Sequence, residues 1–559
     1  MNTQIKPPVD CTRWLFLRLL GIIYFIAFAS TAWQIVGLLG QHGVLPVSEM
    51  LYRIGGHFAT ADNPGLRYYF LPTLFWLNSS DAALQLLCWG GMASALCVVA
   101  GVLTGPALFI CYVLYLSLVT VGQDFLAFQW DFLLLEAGVI SIFLAPWRLL
   151  EPPLGPRNKS RASVAFLWVI RLLLFKLMFL SGVCKLASHD PTWANFSALD
   201  YHYETQPLPT PLAWLAGQLP HWWQHISVGL MFAIELIVPF AIFCGRKARA
   251  FAAISIFALQ CLIALTGNYT FFNILTMAMC ITLLDDGFIA KILPGKLRAK
   301  ISCSEGETAG LGELPEVSTS AETPAAAEKA TIAEGTASVN QEDALVRKDL
   351  DLKGPLASAT INGAGRWTIM RRIYVGMAIL LGIVNISAMT PVAELGMLNE
   401  VLAPFAISNR YGLFAVMTTV RHEIIIEGSN DRKTWLAYEF PFKPGDVKRA
   451  PPIVAPFQPR LDWQMWFAAL SNYEENPWLG HLMLRLLHGD REVLALFSKN
   501  PFAKAPPKYV RASLYTYHFT DIPTLLKTGA WWRRDPAGQY FPVATLQGSD
   551  SDGPITGPY

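Results

Sequence analysis

The sequence predicts a mainly α-helical polytopic membrane domain of about nine spans, followed by a C-terminal β-sandwich-like domain with inserted helices. Three observations predict it. First, 53% of the 559 residues are hydrophobic and only 15% are charged, against the roughly 25% charge of a soluble domain. Mean hydropathy is +0.37. Second, the apolar residues are gathered into long runs up to about residue 290. Third, after an Ala/Glu/Ser/Thr-rich stretch and one more apolar run, the chain changes to alternating and amphipathic patterns typical of a folded aqueous domain. The net charge of +2 is too balanced for a nucleic-acid surface, so no nucleic-acid partner is expected.

In chain order the candidate spans are 14–39, 83–103, 105–122, 130–148, 163–187, 222–244, 249–267, 270–286 and 372–391. The first run has a basic flank, Lys6 and Arg13, and a cleavage-like Ala27-Phe28-Ala29, but it continues through Trp33, Val36 and Leu39. That is too long for a signal-peptide core, so a retained helix is predicted. Residues 45–56 and 66–78 mix apolar and polar side chains and suit the membrane interface. Arg157, Lys159 and Arg161, then Arg246, Lys247 and Arg249, then Lys291, Lys296, Arg298 and Lys300, and finally Arg371 and Arg372 form basic segments, whereas 186–221 holds no Lys or Arg. With about nine spans and a cytoplasmic N-terminus, every basic segment falls on the cytoplasmic side. The 186–221 loop and everything after 391 then fall outside. Eight of the nine cysteines lie in or beside apolar runs, and Cys303 lies in the polar stretch; most read as small buried apolar side chains.

This organisation divides the chain into a helical membrane domain at 1–300, a disordered cytoplasmic linker at 301–365, a final span within 366–392 and an extracytoplasmic β-rich domain at 393–559. In the last of these, Arg421 to Ile426, Trp435 to Phe440 and Tyr509 to Phe519 read as strands, with a turn from Gly428 to Thr434. Trp463 to Leu470 and Trp478 to Phe497 read as amphipathic helices. The turn sequence EGSNDRKTW resembles the hairpin of discoidin-type sandwich domains.

Charges at membrane depth are expensive and are usually paired or functional. Asp131 and Glu136 lie in the fourth span, Arg171, Lys176 and Lys185 in the fifth, and Glu235 in the sixth. At about 1.5 Å per residue, Lys185 and Asp131 share the outer rim, Lys176 lies roughly 13 Å and Glu136 roughly 8 Å deeper, and Arg171 and Glu235 lie about 20 Å down. Matched depth therefore predicts the pairs Lys185–Asp131, Lys176–Glu136 and Arg171–Glu235. The outer loop carries Trp193, Tyr201, His202, Tyr203 and Glu204, then a proline-rich stretch, a stiff surface suited to protein or lipid. His221 and His225 have metal-ligand spacing but no evident third ligand, and read as interfacial; no metal is expected. The chain has no phosphate-binding loop, no nucleophile elbow and no HExxH motif.

Several segments together resemble the lipase maturation factor family. They are Gln129-Trp130-Asp131-Phe132 through Glu136, Asp190-Pro191-Thr192-Trp193 through Leu199-Asp200-Tyr201-His202-Tyr203-Glu204-Thr205-Gln206-Pro207, and Gly267-Asn268-Tyr269-Thr270-Phe271-Phe272-Asn273. Arg410-Tyr411-Gly412-Leu413-Phe414, Glu427-Gly428-Ser429 and Pro459-Arg460-Leu461-Asp462-Trp463-Gln464-Met465-Trp466 extend the resemblance over nearly the whole chain; the linker 301–365 departs from it. The resemblance implies a chaperone-like endoplasmic-reticulum membrane factor that helps secreted lipases fold and assemble into active dimers. The expected partners are then the lipid bilayer and exported client proteins, and no cofactor is expected. In a bacterium the corresponding place is the inner membrane with its periplasmic face.

A more distant resemblance is to the membrane domain of vitamin K-dependent γ-carboxylases, through Phe179-Leu180-Ser181-Gly182-Val183-Cys184-Lys185-Leu186 followed by Trp193. It implies Lys185 as a catalytic base, since a desolvated lysine can lose its proton, and a quinone-type cofactor. A carboxylase-like or redox membrane enzyme is therefore the alternative expectation. A transporter is disfavoured because no internal repeat is detectable.

Overall fold

The computed structural model describes residues 10–59, 63–151, 161–292, 372–389 and 393–546; the expected linker 301–365 lies outside them. The first part is a helical bundle. Its helices are α1 (Asp10–Leu39), α2 (Val47–Ala59), α3 (Leu66–Phe70), α4 (Asp81–Ala100), α5 (Thr104–Val121), α6 (Gln129–Leu144), α7 (Arg161–Ala187), α8 (Pro191–Ala194), α9 (Ala198–Thr205), α10 (Pro211–Ala216), α11 (His221–Phe232), α12 (Arg246–Thr266), α13 (Phe272–Ile281) and α14 (Asp286–Ile292). A further apolar helix, α15, covers Arg372–Ser387.

Among the described residues, six helices are long and apolar enough to cross a membrane: α1, α4, α5, α7, α12 and the continuous stretch His221–Phe243 that begins with α11. The other three expected spans correspond to α6 at 16 residues, α13 at 10 residues and the short α15. All three fall below the roughly 20 residues of a full hydrocarbon crossing. The outward surfaces of the bundle carry exposed Leu86, Ile237, Leu262 and Ile379, as a lipid-facing surface does.

α1 runs through the middle of the bundle between α4 and α13, while α4, α5, α6 and α7 pack in sequence order. Close approach of α6 to α1 depends on Gly138, because a Cβ there would lie 1.9 Å from Tyr24 Oη. At the far end of α1, a Cβ on Gly37 would lie 2.4 Å from the Glu492 carbonyl oxygen, so glycine lets the C-terminal domain seat directly on the bundle. The stretch after α11 leaves ideal geometry, with a π turn at Ala233–Ile237 and a 3-10 segment at Val238–Phe243. Pro239 explains the break: it has no N–H to give to the carbonyl of Glu235 four residues earlier.

The C-terminal domain begins with α16 (Ala393–Leu402) and is built on strands β1 (Arg421–Ser429), β2 (Leu436–Ala437), β3 (Tyr509–Phe519) and β4 (Trp532–Ala544). They form one antiparallel sheet in the order β2-β1-β3-β4. The turn between β1 and β2 is held by Asp431, whose carboxylate accepts from Ser429 Oγ and from the amides of Lys433 and Thr434. A second sheet, needed for the expected sandwich, is not present among the described residues. Helices α17 (Arg460–Ala468) and α18 (Pro477–His488) pack on β1 and β3 instead. The long helix expected over Trp478 to Phe497 is divided at Gly489, whose φ of 74° closes α18 before the short α19 (Arg491–Leu494). A last helix, α20 (Ile522–Thr528), joins β3 to β4. β4 has no counterpart among the expected strands. It contains Pro536, Gly538 and Pro542, which a strand tolerates at a sheet edge, and its pairing with β3 slips at three places.

Candidate functional site

All the expected site residues except Arg171, which lies against the end of α13, gather where the membrane-side helices meet the C-terminal domain. Lys185 lies in the last turn of α7 and is buried. Its Nζ donates to Glu235 Oε2 at 2.8 Å, to Glu235 Oε1 at 3.0 Å and to the carbonyl of Ser181 at 3.0 Å. The Trp193 ring centre is 5.5 Å away. An ammonium has three donors, and here each has an acceptor. The expected Lys185–Asp131 and Arg171–Glu235 pairs are thus replaced by Lys185–Glu235. The depth estimate failed because α11 does not start at the level where α7 ends. Its first half packs beside α9 in the outer loop, and the π turn carrying Glu235 is what meets α7.

The second expected pair is present. Lys176 donates to Glu136 Oε1, both side chains being fully buried. The other oxygen, Oε2, accepts from Tyr411 Oη at 2.6 Å and from the Asn409 amide at 3.2 Å. Burial, together with the adjacent carboxylate, holds the Tyr411 phenol well above its ordinary pKa, so it is a donor throughout the physiological range. Asp131 has a different partner from the one expected. Arg460, from the C-terminal domain, reaches Asp131 Oδ1 at 3.0 Å and Oδ2 at 3.1 Å and also donates to the carbonyl of Phe125 at 2.7 Å. Tyr115 donates to the same carboxylate. Among the described residues Arg171 meets no carboxylate within contact distance; its Nε and Nη2 donate to the carbonyl of Thr282 at 2.8 and 2.6 Å.

The outer loop is fastened to the C-terminal domain along its length. Asp190 caps α8 through the Thr192 amide at 2.7 Å and accepts from the Met417 amide at 2.8 Å. Burial pushes its carboxyl up, but these donors outweigh it and hold the pKa below the usual range. Trp193 Nε1 donates to the carbonyl of Phe414 at 3.0 Å. On α9, Tyr201 is 38% exposed. His202 shares a 3.1 Å hydrogen bond with Tyr269 Oη and lies edge-on to Phe414. Desolvation, and then the charge of Lys185, push its pKa down to about 4, leaving a neutral ring. Burial raises the Tyr203 phenol. Glu204 accepts from the Phe519 amide at 2.7 Å and faces His518 Nδ1 at 3.1 Å, which ties α9 to the end of β3. Arg421 on β1 returns the contact, donating to the carbonyls of Glu204 at 2.8 Å and Pro207 at 3.0 Å while its own charge is met by Glu423.

His221 and His225 both face Asp200, at 2.9 and 3.4 Å, a partner their spacing alone did not reveal. No group of three or more ligand side chains suited to a metal ion occurs among the described residues. Sequence reasoning also missed Arg460, Tyr411 and Arg421 as members of the site. A signal was available for the first two: they lie inside the quoted motif segments, and each carboxylate in α6 needed a donor. The groups assembled here engage one another in ion pairs and hydrogen bonds. With Glu235, Ser181 and Trp193 around it, the Lys185 ammonium has no donor left free for a quinone-type ring.

Comparison with known proteins covers both halves of this arrangement. A family model described as the lipase maturation factor transmembrane domain matches residues 11–291, and one described as the lipase maturation factor C-terminal domain matches residues 407–542. Lipase maturation factor 2 of Gallus gallus is 37% identical over 97% of this chain and 82% of its own length. The Homo sapiens protein of the same name is 35% identical over 96% and 82%. Lipase maturation factor 1 of Bos taurus is 31% identical over 96% and 89%. No solved structure matches.

Proposed function

We propose a function from one premise: the chain belongs to the lipase maturation factor family. It is a multi-pass membrane protein. Its role, in this reading, is to assist the folding or assembly of exported proteins, with secreted lipases the client class that the family name indicates. The observation that carries the reading is the bond between Glu204 and the Phe519 amide, together with Arg421 on the carbonyls of Glu204 and Pro207. These contacts weld the aromatic outer loop and the β-rich domain into one preorganised surface beyond the bundle. Such a surface binds without first having to order itself.

The reading requires that surface to face the exported protein. About nine crossings, with α6, α13 and α15 counted as short spans, leave the basic segments cytoplasmic and the C-terminal domain in the lumen or periplasm. A reporter that works only in the cytoplasm should be silent when fused after Tyr559. The direct test replaces Tyr201, exposed on α9, with a photoreactive amino acid in cells. Crosslinks to incompletely folded exported proteins are expected. Crosslinks to lipid alone, at normal protein levels, would remove the client-binding role.

A further inference from the structure

At the end of the bundle remote from Lys185, two arginines lie over one tryptophan. The guanidinium carbon of Arg171 is 4.6 Å from the Trp168 ring centre and that of Arg249 is 5.9 Å from it. Arg171 is 5% exposed. It gives Nε and Nη2 to the Thr282 carbonyl, and Arg249 gives Nε to the Leu283 carbonyl at 2.9 Å. Both acceptors follow directly on the C-terminal end of α13, where carbonyls carry partial negative charge. Neither arginine has a carboxylate within ion-pair distance among the described residues. Asp285 is in contact with Arg246 at 2.7 Å, and Asp286 accepts from the amides of Cys11 and Thr12. Among the described residues, Asp285 is thus taken by Arg246, and Arg171 and Arg249 are held by carbonyl oxygens alone.

Two like charges drawn together in a poorly solvated place need an anion. The surroundings fix its kind. Trp168 is partly exposed, its ring stacks on exposed Phe243, and Phe251 is exposed on α12. Arg249 lies within the first turn of α12, a spanning helix, and so near headgroup depth. We propose that Arg171 and Arg249 form a binding site for the phosphate of an anionic phospholipid, whose acyl chains lie along Trp168, Phe243 and Phe251. Guanidinium groups match phosphate geometry and stay charged in apolar surroundings. A basic pocket between spanning helices is the arrangement that holds such headgroups. The lipid clamps α7, α12 and the end of α13 together.

The test uses the full chain in phosphatidylcholine nanodiscs with and without phosphatidylglycerol, read by native mass spectrometry for co-retained lipid and by thermal unfolding. The wild-type chain should retain phosphatidylglycerol in preference to phosphatidylcholine and unfold at higher temperature when it is present. R171Q/R249Q should lose that retention several-fold, while K247Q, an exposed cation at the same end, should keep it. If the double variant fails to assemble, R249Q alone carries the comparison. Equal retention in R249Q and wild type, or equal loss in K247Q, would overturn the site. Inorganic phosphate that stabilises the chain in phosphatidylcholine as well as phosphatidylglycerol does would make the ligand a free anion and overturn the lipid assignment.

Discussion

Arg460 in the C-terminal domain makes two charge-assisted hydrogen bonds to Asp131 at the start of α6, 329 residues away in sequence. Both side chains are fully buried. Removing one partner of such a pair strands the other, at about 3–5 kcal/mol. Arg460→Met should therefore lower stability by that order and release the C-terminal domain to added protease. Arg460→Met combined with Asp131→Leu should recover much of the loss, since no charge is left unpaired. Additive losses in the double-mutant cycle, read by thermal unfolding in detergent, would show that the two groups are not coupled.

Tyr411 tests the same junction more gently. It donates to Glu136 Oε2, while Lys176 holds Oε1. Tyr411→Phe keeps the ring over the Lys176 ammonium, 5.3 Å from it, and removes one hydrogen bond to a carboxylate. The expected cost is about 1.5–3 kcal/mol. Unfolding of the purified variant measures it; an unchanged midpoint would mean that the Asn409 donors compensate fully.

These two contacts show what the sequence revealed and what it hid. Long apolar runs located the helices within a few residues, because hydrocarbon length alone sets them. Lys176 and Glu136 were legible because α6 and α7 are adjacent and nearly level. Depth counting pairs Lys185 with Asp131 because it assumes that helices start in a common plane, whereas α11 projects past α7. The true partner of Asp131 lies in another domain, and no local spacing points to it. β4 was hidden by Pro536 and Gly538, residues that argue against a central strand but not against an edge.

Asp462 on α17 gives a pH signature. It accepts from the amides of Phe442 and Lys443, yet burial dominates and pushes its carboxyl up to about 6. The unfolded chain titrates this group near 3.9, so between about pH 4 and about pH 6 the folded state binds more protons. The stabilisation is fully present below the unfolded pKa and is lost as pH rises through the folded one. Asp462→Asn keeps an acceptor for the two amides and has no charge to bury. Measured by thermal unfolding, wild type should gain stability relative to this variant on going from about pH 7.5 to about pH 4.5. A constant difference across that range would contradict the shift.

Lys185 separates a structural from a chemical role. Each of its donors is engaged by Glu235 or Ser181, so its charge is matched by a buried carboxylate 2.8 Å away. In the structural account Lys185→Arg keeps the charge and most of the activity, with some loss because the longer, planar group cannot reproduce the same three bonds. Lys185→Met should destabilise by about 3–5 kcal/mol, leaving Glu235 buried and alone. Adding Glu235→Gln should restore folding by removing that charge. If Lys185 were a base, arginine could not replace it, since guanidinium does not give up its proton, and the Lys185→Met/Glu235→Gln chain would be stable yet inactive. The deciding measurement is client maturation at matched membrane abundance in all three variants. Activity recovered in the double variant assigns Lys185 to holding the outer loop against α7. A stable double variant with no activity, together with an inactive Lys185→Arg, would instead move the lysine into the chemistry and reopen the enzyme reading.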